Sequence, residues 1–208
     1  MTRPSVAVLD YGIGNLRSAE KALQHVGADA ALTADADRIL AADAVVLPGV
    51  GAFGPCADAL AASGLDDVAR RVIDAGTPFL GICVGMQLLY ESSEESPGAR
   101  GLGVLHGAVR RLPGGVKHPQ MQWNRLEVHR AGPLFDGLGD QPWMYFVHSF
   151  AAAANDDVVA TCDYGGAVTA AAQRGNVVAV QFHPEKSGAA GLRLLGNFVH
   201  MASTGSVS

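Results

Sequence analysis

Three stretches of this chain combine residue types that can do chemistry together. The first is Phe79-Leu80-Gly81-Ile82-Cys83-Val84-Gly85-Met86-Gln87-Leu88-Leu89-Tyr90. An apolar run from Pro78 to Ile82 ends in Cys83, with a glycine two residues before it and another two after. Met86, Leu89 and Tyr90 then recur at helical spacing. The pattern predicts strand, sharp turn and helix, with Cys83 on the turn. A nucleophile elbow needs strained backbone angles and close approach of strand to helix, and residues without a Cβ allow both. The sulfur is then lifted to the carboxyl end of the strand. The helix N-terminus points at it, and that end of the dipole favours thiolate over thiol. The plain alternative is a free Cys closing a core strand, since free Cys is among the most buried residue types.

A thiolate needs a proton shuttle. The second stretch, Val177-Val178-Ala179-Val180-Gln181-Phe182-His183-Pro184-Glu185-Lys186, offers one. It reads as an apolar strand ending in His183, stopped by Pro184, which has no N–H for a ladder. Glu185 can fold back to accept from one imidazole nitrogen and leave the other for Cys83, the arrangement of nucleophile, base and orienting group. Both strands would carry their functional residue at the carboxyl edge, where ligands bind in open α/β sheets. Alone, His183 reads as a partly exposed strand-end histidine; beside an elbow cysteine and a carboxylate two residues on, it reads as catalytic. The third stretch is Pro48-Gly49-Val50-Gly51-Ala52-Phe53-Gly54, after the buried run Ala44–Leu47. A tetrahedral oxyanion needs two N–H donors. Val84, just after the nucleophile, is one; the other falls near Val50 or Gly51. The loop lacks the Lys and Ser/Thr of a phosphate-binding loop. The plain alternative is an ordinary flexible loop.

The elements that must hold these stretches fit one domain. The 208 residues are 49% hydrophobic and 17% charged, an ordinary globular composition. A net charge of −5 argues against a general nucleic-acid surface. Cys56, Cys83 and Cys162 are far apart, which suggests neither a disulfide framework nor a metal site. The N-terminus has no signal-peptide pattern, and no apolar run approaches the ~20 residues of a membrane span. The expectation is a cytoplasmic protein without cofactor, membrane partner or nucleic acid.

In chain order, Val6–Asp10 predicts a strand and Tyr11–Asn15 a turn. Asn15 would cap a helix over 16–26 that Gly27 closes. Gly12-Ile13-Gly14 has Arg17 where a dinucleotide fingerprint needs its third glycine, so a turn or a partner contact is the better reading. Residues 30–32 predict a weak strand, 34–42 a short helix, and 55–75 helix with a break near Ser63-Gly64. This β-α alternation predicts a parallel sheet with helices on both faces. Residues 91–98 read as a solvated polar loop. Beyond it, strands are expected at 108–112, 126–129, 144–147, 158–162 and 168–172, largely antiparallel or mixed. A last helix is expected over 188–202, with 203–208 a frayed tail. Residues 1–202 would form a single domain.

Gly81-x-Cys83-x-Gly85 with His183-Pro184-Glu185 resembles the signature of class I (triad-type) glutamine amidotransferases. Five longer matches are Asp10-Tyr11-Gly12-x-Gly14-Asn15-Leu16-Arg17-Ser18, Pro48-Gly49-Val50-Gly51-Ala52-Phe53, Met86-Gln87-Leu88-Leu89, Tyr145-Phe146-Val147-His148-Ser149 and Phe182-His183-Pro184-Glu185-Lys186-Ser187. They are similar to the glutaminase subunits of imidazole glycerol phosphate synthases, nearly end to end. The resemblance implies a flavodoxin-like open sheet and hydrolysis of glutamine to glutamate and ammonia through a thioester. It implies Cys83 as nucleophile, His183 as base and later acid, Glu185 as orienter, and Val84 with Val50-Gly51 as oxyanion donors. It places Gln87 and Glu95, or else Glu94, against substrate, with the backbone of His148, Ser149 and Phe150 facing its carboxylate. It also implies a (β/α)8-barrel cyclase partner that receives ammonia, with Asn15, Trp123 and Lys186 near the interface. Two positions depart from the family. Gln122 stands where Gly is common, which would cost access to positive φ, and Phe150 stands for Tyr. A triad enzyme for another acceptor, such as a pyridoxal phosphate synthase glutaminase, fits the glycine loop less well. A non-catalytic subunit is opposed by the intact Cys83, His183 and Glu185, and triad geometry alone also allows a cysteine peptidase.

Overall fold

The computed structural model describes residues 3–14 and 16–204. The first half alternates as the sequence predicts. It runs β1 (Ser5–Leu9), α1 (Leu16–His25), β2 (Asp29–Thr33), α2 (Ala36–Leu40), β3 (Ala44–Gly49), α3 (Phe53–Ala62), α4 (Leu65–Asp74), β4 (Phe79–Cys83) and α5 (Val84–Leu88). The expected helix over 55–75 is two helices, divided at Ser63-Gly64, where Gly64 adopts φ 72°. α2 is capped by the Asp35 carboxylate, which accepts from Arg38 N–H at 3.0 Å. The cap expected at Asn15 lies outside the described residues.

The second half is β5 (Ser92–Ser93), β6 (Ala108–Arg111), β7 (Gln120–Arg125), β8 (Glu127–Val128), β9 (Trp143–His148), β10 (Phe150–Ala152), β11 (Val158–Asp163), β12 (Ala167–Arg174), β13 (Val177–Val180) and α6 (Gly188–Thr204). Three expectations need correction. The 91–98 segment is not simply a solvated loop, because Ser92 and Ser93 pair with Ala108 and Val109. The strand expected at 126–129 is only the two-residue β8, and the longer β7 just before it was not expected, because its polar sequence Gln-Met-Gln-Trp-Asn-Arg hid it. α6 runs through Thr204, with the Ser203 and Thr204 hydroxyls bonded back to the preceding turn, so those two residues are not a frayed tail. Residues 205–208 lie outside the described residues.

The central sheet has the order β2-β1-β3-β4-β13-β12-β11-β8. Neighbours from β2 to β13 are parallel; those from β13 to β8 are antiparallel. The inner parallel strands β1, β3 and β13 are buried on both faces, and their runs (Val-Ala-Val-Leu, Ala-Val-Val-Leu, Val-Val-Ala-Val) are correspondingly apolar throughout. α1 packs on α6, while α2 packs on α4, α4 on α3 and α3 on α5. These two groups are what a doubly wound sheet needs for its two faces. The chain leaves β1 for β2 and returns across it to β3, so the topology switches at β1/β3, where open α/β sheets place ligands. Two smaller sheets, β10-β6-β5 and the antiparallel ribbon β7-β9, sit outside the main one.

Candidate active site

Cys83 is the last residue of β4 and adopts φ 55°, ψ −113°. It is the one non-glycine residue with positive φ among the described residues. Such a conformation costs about 1–3 kcal/mol and persists only where its surroundings impose it. The flanking glycines supply the imposition by close approach. A Cβ on Gly85 would run into the Leu47 carbonyl of β3, and one on Gly81 would meet Leu89 Cδ1 at 2.8 Å and the Gly85 carbonyl at 3.0 Å. β4 and α5 therefore press together as an elbow requires. The helix behind Cys83 is only five residues long, so the backbone N–H of Val84 matters more than a summed dipole.

β13 runs parallel to β4 with Val180 opposite Ile82. The ladder stops at Val180, three residues short of the expected His183. The chain continues by pairing with β9 instead, where the His183 N–H donates to the Tyr145 carbonyl at 2.9 Å. Ser187 locks the turn, donating to the His183 carbonyl at 2.6 Å and accepting from Tyr145 N–H at 2.9 Å. His183 Nδ1 lies 2.8 Å from Glu185 Oε1. That contact assigns Nδ1 as donor and leaves Nε2 for the Cys83 sulfur, its other side-chain partner. Both side chains are buried, at 2% and 7% exposure. Burial pulls the His183 pKa down, but the Cys83 sulfur and the Glu185 carboxylate outweigh it and hold the ring up at about 9.

Cys83, Val84, Val50, Gly51, His183 and Gln87 line one cavity of about 340 Å³. Glu95, His148, Ser149, Phe150 and Lys186 complete most of its wall. Pro48–Gly51 leaves β3 beside Cys83, with Gly49 opposite Cys83 in the ladder. Tyr11 donates to the Pro48 carbonyl at 2.8 Å, and the Cys56 thiol donates to the Val50 carbonyl at 3.3 Å. A Cβ on Gly14 would sit 3.1 Å from Val50, so the turn after β1 braces this loop.

The two glutamates separate clearly. Glu95 faces the cavity and accepts from the Phe53 N–H that opens α3, at 2.8 Å. Glu94 is spent elsewhere: it accepts from the Arg111 N–H and pairs with Arg110, which hold its carboxyl below the usual range. His148 Nδ1 lies 2.9 Å from the Phe150 carbonyl and must donate, which leaves Nε2 buried with no hydrogen-bond partner. Burial, helped by the nearby His183, pushes its pKa down to about 4.

Trp123 lies outside the cavity, 46% exposed on the β7-β9 ribbon with Met121 and Trp143. Asn15 lies outside the described residues. Gln122 sits in regular paired strand opposite Phe146, so the expected need for positive φ there does not arise. Sequence reading passed over Gln181, Tyr11 and Ser187 as site residues. The signal for Gln181 was a polar side chain inside an apolar strand run, which demands buried partners.

A cysteine on a strained strand-to-helix elbow thus faces a carboxylate-held histidine at the carboxyl ends of two neighbouring strands. The family model for class-I glutamine amidotransferases matches residues 7–202, and the chain belongs to that family. Among curated relatives it is similar to "Imidazole glycerol phosphate synthase subunit HisH" of Methylococcus capsulatus, at 53% identity covering 94% of this chain and 95% of the relative. The protein of the same name from Methanothermobacter thermautotrophicus is 50% identical, covering 94% and 98%. Among solved structures, "Crystal structure of glutamine amidotransferase" superposes with TM-score 0.76 at 24% identity over 95% of this chain and 98% of that one. "Structure of PurLQS from Thermotoga maritima" gives 0.76 at 23%, over 96% and 99%. These two superpositions establish the fold.

Proposed function

We propose that this chain is the glutamine-hydrolysing subunit of imidazole glycerol phosphate synthase, with Cys83, His183 and Glu185 as its catalytic residues. The observation that carries the reading is the Cys83 elbow facing a His183 whose other nitrogen is fixed by Glu185 at 2.8 Å. The Cys83 sulfur attacks the side-chain carbonyl carbon of glutamine, and its proton passes to His183 Nε2. The oxyanion is met by the N–H of Val84 and one from the Val50-Gly51 segment. Collapse of the tetrahedral species expels ammonia, which takes the proton from His183, and leaves a thioester. Water, deprotonated by His183, then releases glutamate and restores the thiol. Glu185 keeps the ring's Nδ1–H engaged and favours the imidazolium.

Gln87 and the 148–150 backbone hold the amino-acid end of substrate. Glu95 offers the α-ammonium group a carboxylate. The partner is a cyclase that consumes the ammonia. Trp123 and the exposed ribbon around it adjoin the cavity wall at Pro119 and Val147, which supports that face as the docking side, with Lys186 at its edge. Buried side chains form one cluster from Val6 to Met201, which favours a single working unit over 1–202. No described helix is long and apolar enough to cross a membrane, in keeping with work in the cytoplasm, where a free thiol persists.

The test is ammonia release from glutamine by the purified chain, alone and with the cyclase and its ribotide ligand. Stimulation by the cyclase that Cys83→Ala abolishes is the expected result. No release from glutamine under either condition overturns the reading.

A further inference from the structure

We propose that Gln181 is a positioning residue for the nucleophile, its side-chain N–H held on the Cys83 sulfur by a relay that starts at the Phe150 carbonyl. The inference rests on the catalytic role proposed for Cys83. Gln181 follows Val180 and Cys83 follows Ile82, and those two residues are ladder partners. Parallel register therefore puts the two side chains side by side. Gln181 is fully buried, and its Nε2 lies 3.8 Å from Cys83 Sγ, a length suited to a bond accepted by sulfur.

The direction of that bond follows from its neighbours. A side-chain amide has one donating and one accepting end, and exchanging them reverses what it offers the sulfur. The Phe150 carbonyl can only accept. The Gln87 group 3.0 Å from it must therefore be the Nε2 amide. The same Nε2 reaches the Gln181 side chain at 3.0 Å, so the Gln181 atom there is its oxygen. That leaves the Gln181 NH2 facing Cys83. His148 Nδ1 also donates to the Phe150 carbonyl, which holds the origin of the relay in place. A donor on sulfur favours thiolate over thiol. Gln181 thus acts on one side of the sulfur while His183 takes the proton on the other.

The simpler alternative is that Gln181 only fills the core. Thiol titration separates the two. The titratable groups around Cys83 are His183 with Glu185 behind it, Tyr11 and Cys56, with Glu95 and Lys186 on the same cavity wall, while His148 faces His183. Gln181 is neutral. Its loss moves the midpoint without adding a limb.

The experiment is alkylation of Cys83 by iodoacetamide across pH, on the full chain without glutamine. Peptide mass resolves Cys83 from Cys56 and Cys162. Gln181→Met, close in volume but without the donor, is expected to raise the midpoint by about one pH unit. Gln181→Glu keeps the acceptor for Gln87 and puts a carboxylate at the sulfur, which raises it further. Gln87→Leu is expected to raise it too, although Gln87 has no hydrogen bond to the sulfur, because Gln181 is then free to turn over. It also reads the relay if neither Gln181 variant folds. A wild-type midpoint in the folded variants, or a lower one, overturns the proposal. If wild-type chain releases no ammonia from glutamine, the proposed function fails while this titration still decides the role of Gln181.

Discussion

Glu185→Gln isolates the charge of the proposed triad from its shape. Glutamine keeps an oxygen able to accept from His183 Nδ1, where Glu185 Oε1 now sits at 2.8 Å. What disappears is the negative charge. A hydrogen bond to a charged group is worth about 1.5–3 kcal/mol, against about 1 for a neutral one. The loss is therefore about 1–2 kcal/mol, or roughly one pH unit at about 1.36 kcal/mol per unit. Both partners are buried, so solvent does little to screen it. His183 holds its proton up to about 9 only because sulfur and carboxylate overcome burial. Remove the carboxylate charge and burial regains ground.

The assay is kcat/KM for ammonia release as a function of pH, with the cyclase present. In the wild type the alkaline limb, where the imidazolium is lost, falls near 9. In Glu185→Gln it moves toward 8, and the acid limb rises because the thiolate has lost part of its counter-charge. The bell narrows from both sides. A variant that is slower at every pH, with its alkaline limb still at the wild-type position, would refute the electrostatic argument. Glu185 would then only fix the ring's orientation.

Three further outcomes follow from the same geometry. His148 is held down to about 4 by burial. An unfolded histidine titrates near 6.5, so between those values the unfolded chain binds the extra proton. That contribution to stability is whole above 6.5 and lost as pH falls through 4, amounting to about 3 kcal/mol. Melting curves of His148→Asn should fall less than wild type over that window. Gly85→Ala drives a Cβ into the Leu47 carbonyl; overpacking of this kind costs about 1–3 kcal/mol or more, read as a lower urea midpoint. Trp143→Ala removes half-exposed indole from the ribbon, where Arg125 stacks on it at 5.0 Å. If the cyclase docks there, its Kd should weaken on the order of 30-fold, the effect of about 2 kcal/mol at an aromatic hot spot.

The parallel half of the fold was legible because its inner strands are buried on both faces and read as unbroken apolar runs. Gly81 and Gly85 announced the elbow for an equally physical reason: a Cβ at either would collide with α5 or with β3. The ribbon was not legible. β7 carries polar or exposed side chains from Met121 to Arg125, so period-two alternation was absent and only pairing with β9 makes it a strand. The choice between Glu94 and Glu95 was also closed to sequence. Adjacent residues of like charge differ only in which face of the segment they leave. Arg110 captures one, and the start of α3 together with the cavity captures the other.

Gln181 shows where local pattern stops being informative. In the sequence it looks like a lapse in the apolar run from Val177 to Phe182. Its partners are 94 and 98 residues away, on α5 and β4. A fully buried amide without those partners would cost about 1–3 kcal/mol, so the sequence tolerates it only because β4 and β13 are neighbours. The topology that sets Cys83 beside His183 thus also fixes which end of an amide meets the sulfur. Sheet order and active-site chemistry are, at that position, one constraint.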